Sequence, residues 1–216
     1  MSLTVSEGNS DYTPLAEGSY TAVCYGVIDL GLQVNEKYGT TANKALVMWE
    51  LPDEVEQGGE YPRTFSQRYT ASLNNKSLLR KHLVAWRGRD FTPEELKRFD
   101  LANLLGVPCL IQIVHREGEG KVFANLASIM ALPKGMPRPK AKRKLISFNL
   151  DEDDLAMLAD MPEWVRDTIM KSESYKKRMN AEADKAAQPG KEGEAAEDPA
   201  ARFRELNSCD DEELPF

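Results

Sequence analysis

The stretch GSYTAVCYGVIDL, residues 18–30, reads as a β-strand. Tyr20, Val23, Tyr25, Val27 and Ile28 are β-branched or aromatic, side chains that pack well on a pleated surface. Gly26 in the middle predicts a bulge or sharp bend, as a strand that helps to close a barrel needs. Outward from it, residues 31–43 (GLQVNEKYGTTAN) read as a loop. Residues 44–51 return as a second strand, with Ala45, Val47, Trp49 and Leu51 alternating onto one face. A turn over 52–62, holding Gly58 and Gly59, leads to a third strand at 63–70, with Phe65, Gln67 and Tyr69 on one side and Ser66 and Arg68 on the other.

The hydrophobic period then changes. Asn74 or Asn75 is placed to cap a helix that runs to Trp86, with Leu79, Leu83 and Trp86 on one side. Thr92-Pro93-Glu94-Glu95 opens a second helix: a Thr cap, a proline at the first position, then acids over the positive helix end. That helix should stop before Gly106-Val107-Pro108. Residues 109–114 and 122–130 read as two strands joined by a hairpin around EGEG at 117–120. Three strands, a helical insert and two more strands are the order of an OB-fold barrel. The expected fold is therefore mainly β with helical additions (α+β): a five-stranded OB-fold barrel over 18–144, with a helical insert between strands 3 and 4. Residues 1–17 are polar and read as a flexible lead-in.

The run PKGMPRPKAKRK, residues 133–144, is a basic, proline-rich exit from the barrel. Residues 151–160 read as a short acidic helix, and Pro162 starts another that ends near Tyr175. Its stripe of Trp164, Val165, Thr168 and Ile169 needs cover from the barrel or from a second subunit. Residues 145–178 are thus a helical extension. From 179 to 209 the composition turns to Ala, Glu, Lys, Gly and Pro, which predicts a disordered linker before a separate tip at 210–216.

Charge is sorted along the chain. Its net −7 conceals a middle third, residues 61–144, with 17 basic and 6 acidic side chains, net +11, between flanks of −8 and −10. Such an excess points to a polyanion. Single-stranded nucleic acid needs cations along its backbone and flat rings for its unstacked bases. Candidate groove cations are Arg63, Arg68, Lys76, Arg80, Lys81, Arg87 and Arg89. Candidate stacking rings are Tyr25, Tyr38, Phe65 and Tyr69; Trp49 and Trp86 fall in core registers.

Other chemistry is not expected. The chain has no P-loop, GxGxxG, HExxH or GxSxG. Cys24, Cys109 and Cys209 form no CxxC pair and read as thiols of a reducing cytoplasm. His82 and His115 stand apart, and the acids 151–154 lack the spacing of a calcium loop. No catalytic residue, metal or cofactor is expected, so the chain reads as no enzyme. Neither an apolar span of membrane length nor a signal peptide is legible.

Cys209-Asp210-Asp211-Glu212-Glu213-Leu214-Pro215-Phe216 resembles the acidic tip of bacterial single-stranded DNA-binding proteins. Glu212, Glu213 and Leu214 stand where aspartates and isoleucine are common in that family. A terminal Phe offers a ring for a pocket and a carboxylate for a cation at its rim, and the acids before it steer toward a basic partner. Over roughly 18–176, Asp29-Leu30-Gly31, Trp49-Glu50-Leu51, SLNNKSLLRKHLVAWRGRDFTPEEL, LLGVPCLIQIVH and Pro162-Glu163-Trp164 resemble phage-encoded OB-fold single-stranded DNA-binding proteins. The resemblance implies a coat for single-stranded DNA in phage replication or recombination, in the cytoplasm of the bacterial host. It also implies recruitment of host or phage replication proteins through residues Asp210, Asp211, Glu212, Glu213, Leu214, Pro215 and Phe216. A recombination mediator or annealing protein that also binds duplex more weakly, and a protein adaptor, are the competing readings.

Overall fold

The computed structural model describes residues 14–36, 39–55, 59–118 and 120–186. Its strands are β1 (Gly18–Asn35), β2 (Thr40–Val55), β3 (Pro62–Thr70), β4 (Pro108–Gly118), β5 (Lys121–Ala131) and β6 (Ile146–Phe148). Its helices are α1 (Leu78–Arg87), α2 (Pro93–Lys97), α3 (Glu163–Met170) and α4 (Glu173–Ala186), with 3-10 turns at Leu101–Leu104 and Leu155–Asp160. The strands form one sheet in the order β3-β2-β1-β4-β5, antiparallel throughout, and β6 adds a short parallel pairing to β1. The fold is mainly β with a few helices. The chain divides into two units, Met1–Arg178 and Met179–Phe216, of which the described part of the second is the end of α4.

The first strand belongs to two cores because of a bulge at Tyr25. The β1–β2 register steps from Cys24↔Trp49 to Gly26↔Met48, and one extra residue reverses which face each later side chain takes. Ala22 and Cys24 therefore share a core with Val27, whereas Tyr25, Ile28 and Leu30 point into the other. Gly26 leaves room for the Met48 side chain, which a Cβ there would force to shift.

The first core joins Val47, Trp49, Leu51, Phe65, Tyr69, Cys109, Ile111, Ile113, Leu126 and Ile129 to Leu79, Leu83 and Trp86 of α1. The cap of α1 is Ser77 rather than Asn74 or Asn75; Asn74 instead accepts from the Lys76 N–H in the turn before it. The second helix keeps its capping box, with Thr92 and Glu95 bonded reciprocally. It ends at Lys97, and the remainder of the expected helix is a 3-10 turn capped by Asp100.

His82 is buried on α1, with Nδ1 2.8 Å from the Tyr69 hydroxyl. Burial holds its pKa below the usual 6.5. The unfolded chain then takes up a proton that the folded chain resists, so stability is complete above about pH 6.5 and falls as the pH drops below it. Thermal melts from pH 7.5 to 5 should show this slope, and His82→Gln should flatten it.

The opposite face of β1 and β2 carries a second core. Tyr25, Ile28, Leu30, Leu46 and Met48 pack against Phe148, Leu150, Leu158, Met161, Val165 and Ile169. The extension after residue 144 thus lies on the sheet, and this explains why β2 is apolar on both faces. Residues 151–154 form turns rather than a helix, with Asp153 and Asp154 accepting from the N–H groups of Asn149 and Ala156. The helix expected from Pro162 breaks after Met170, and α4 continues to Ala186, eight residues beyond the expected end of order at 178. Its residues (ESYKKRMNAEADKA) are mostly good helix formers, so composition poor in apolar anchors did not prevent a helix there.

Gly31 docks the extension. It sits at φ +71, and a Cβ would meet Leu150 Cδ2 and Ser172 Oγ, each at 2.8 Å. Left-handed backbone costs an L-residue about 1–2 kcal/mol, and the clash adds to it. Gly31→Ala should destabilise the fold by roughly 2–3 kcal/mol in urea unfolding. Among the described residues, no helix is long and apolar enough to cross a membrane.

Candidate nucleic-acid interface

Three of the four candidate stacking rings lie in the cores. Phe65 stacks on Trp49 with centroids 6.2 Å apart, Tyr69 pairs edge-on with His82, and the Tyr25 hydroxyl approaches Met48 Sδ. All three are buried, so none offers a face to a base. Alternate aromatics on these strands fill the interior because both sheet faces are covered. Tyr38 and the tip residues 210–216 lie outside the described residues.

The candidate cations divide. Arg80 pairs with Asp90 at 3.0 Å and also bonds Asn75 and the Leu73 carbonyl. Arg87 lies over the Phe91 and Phe99 rings, 4.4 and 5.1 Å from their centroids, and pairs with Glu95. Arg89 pairs with the same carboxylate at 2.7 Å. Arg89, the Thr92 N–H and Arg87 together hold the Glu95 carboxyl down to about 2. Arg80, Arg87 and Arg89 therefore fasten the loop after α1 and are largely neutralised by its acids. Lys76 and Lys81 stay exposed on that edge. On β3, Arg63 is half-buried and engaged. Arg68 is exposed, donating to Thr168 Oγ1 at 3.1 Å.

A stronger row of cations lies in residues 133–144. Lys134, Arg138, Lys140, Lys142 and Lys144 are all exposed, and none makes an ion pair among the described residues. Pro133, Pro137 and Pro139 restrict the backbone of this strap. Its end is fixed by Glu50 of β2, which is 0% exposed and accepts from the backbone N–H groups of Lys142 and Arg143 at 2.8 and 2.9 Å. Arg143 reaches from there to the Pro62 carbonyl at 3.1 Å and lies 5.0 Å over the Tyr61 ring.

Sequence reasoning left Glu50, Tyr61 and Arg143 out of the candidate site and placed Trp164 in the buried stripe of α3. Val165 and Ile169 are buried there, but Trp164 is exposed and Thr168 only half-buried. The signal for Glu50 was present: a lone carboxylate inside ALVMWEL needs a partner once both faces of that strand are covered.

A cavity of about 300 Å³ between β1, β6 and the 3-10 turn at 101–104 is lined by Asp29, Asp100 and Asp151. Cys24 and Cys109 are buried, and burial pushes the Cys24 thiol up to about 12, far from a reactive thiolate. Among the described residues, no three His, Cys, Asp or Glu side chains converge as metal ligands. No protein-family model matches the chain, and no curated protein matches it. What the strap presents is a row of ammonium groups and the Arg138 guanidinium, without ion pairs among the described residues, near the exposed Tyr61 ring, a pattern suited to an anionic polymer with flat substituents.

Proposed function

We propose that this chain is a non-enzymatic protein that binds single-stranded DNA, largely independently of sequence, and recruits replication or recombination proteins of phage or host through its tip. The exposed cations Lys134, Arg138, Lys140, Lys142 and Lys144, which make no ion pair among the described residues, carry this reading, because their strap is held against the sheet by a buried carboxylate rather than left as a loose tail. An OB-fold barrel is the proposed architecture. The order β3-β2-β1-β4-β5, with α1 packed between β3 and β5 at the two ends of the sheet, supports it, since such barrels are partly open and bind oligonucleotides on their strand-2 and strand-3 side. The bacterial cytoplasm and the phage role belong to the same proposal and rest on the resemblance of the tip and body motifs.

A salt titration tests it. A labelled single strand should bind with an affinity that falls linearly in log salt, and a duplex of the same length should bind more weakly. Affinity that ignores salt, or a preference for duplex, would contradict the proposal.

A further inference from the structure

Two exposed aromatic rings stand at opposite ends of β3, and each has an arginine over it. Tyr61 is 47% exposed beneath Arg143, and Trp164 is 44% exposed with the Arg68 guanidinium 5.6 Å from its centroid. Folding does not need the indole where it is, because Val165 and Ile169 already anchor α3 at 0% exposure. A half-wet tryptophan forgoes much of the burial that its area offers. The surrounding bonds hold its cation in place. Thr168 Oγ1 donates to the Trp164 carbonyl at 2.7 Å and accepts from Arg68, so the cation beside the ring is ordered before any ligand arrives. Arg143 is fixed in the same way by the Pro62 carbonyl. Such pre-ordering removes much of the entropic cost of binding.

We propose that Trp164 and Tyr61 are the base-stacking platforms of a single-stranded track along β3, with Trp164, supplied by the helical extension, the larger of the two. The proposal rests on the reading of the strap as a phosphate-binding element and adds which rings receive bases. From Pro62 to Arg68 the strand covers about 20 Å, the length of about six stacked nucleotides at 3.4 Å each. A base within a duplex has no free face for either ring, so this contact favours single strands. Each guanidinium supports its ring by a cation–π contact and keeps donors for a neighbouring phosphate.

The test uses the full chain and an oligothymidylate of eight nucleotides, read by the anisotropy of a labelled strand and by intrinsic tryptophan emission. Of the three tryptophans, Trp49 and Trp86 are buried, so a change of emission on binding reports Trp164. Emission should be quenched on saturation. Trp164→Ala and Tyr61→Ala should each weaken binding about 5- to 100-fold, with melting temperatures near that of the parent, and Trp164→Phe should recover most of the affinity. Binding by anisotropy with unchanged emission and a Trp164→Ala affinity within twofold of the parent would overturn the platforms and leave the single-stranded DNA reading standing. Failure of Trp164→Phe to recover affinity would also overturn them. No anisotropy change with any single strand would overturn both.

Discussion

Lys134→Gln, Lys140→Gln, Lys142→Gln and Lys144→Gln in one variant should weaken single-stranded DNA binding roughly 100- to 200-fold at 0.15 M salt. Each phosphate contact on a single strand contributes about 0.7 to the slope of log affinity against log salt. Four lost contacts should therefore flatten that slope by about 3. At 0.15 M salt the matching counterion-release term is about 3 kcal/mol. The fold should tolerate the change, since all four side chains are exposed and make no ion pair among the described residues. The contrasting variant is Arg80→Gln with Arg89→Gln. Those side chains already neutralise Asp90 and Glu95, so their loss should move the melting temperature more than the salt slope. Equal slopes for the parent and the quadruple variant would place the phosphate track elsewhere.

Glu50→Ala should be among the most damaging single substitutions on β2. It leaves the N–H groups of Lys142 and Arg143 without their acceptor and removes the carboxylate 4.0 Å from Arg143 Nε. An unsatisfied buried polar group costs about 1–3 kcal/mol. Arg143 is partly exposed and recovers water, so the total expected is about 2–4 kcal/mol. For a chain of this size that corresponds to a melting-temperature loss of roughly 5–15 °C. Trypsin offers a second readout. With the strap released, cleavage after Lys140, Lys142 and Lys144 should outpace cleavage elsewhere, while Glu50→Gln, which keeps one acceptor, should fall between the parent and Glu50→Ala. Unchanged stability and unchanged cleavage would show that Glu50 does not hold the strap.

Much of the fold was legible because its signals are local. The alternation in 44–51, the bulge beside Gly26, the Leu79-Leu83-Trp86 stripe and the Thr92–Glu95 capping box each depend on residues a few positions apart, whose spacing reflects helix or strand geometry directly. The +11 of the middle third was likewise a matter of counting. Which of those cations face solvent unpaired was not. Arg80, Arg87 and Arg89 are paired with acids 6 to 10 residues away, brought back by the turn after α1. A charge count cannot distinguish a neutralised guanidinium from an open one.

The sequence by itself determined the alternation of β2, the Leu79-Leu83-Trp86 stripe, the Thr92–Glu95 capping box, the bulge beside Gly26, and the sorting of charge into a basic middle and acidic flanks. Only the tertiary structure decided that Tyr25, Phe65 and Tyr69 are interior and that Trp164 and Tyr61 are not. It alone joined Glu50 to residues 92 and 93 positions away and brought Arg68 to Thr168 across 100. The reason is physical. A side chain's exposure depends on what covers its face of the sheet, and here α1 packs on the face of Phe65 and Tyr69 while an extension folded back from beyond residue 144 covers that of Tyr25.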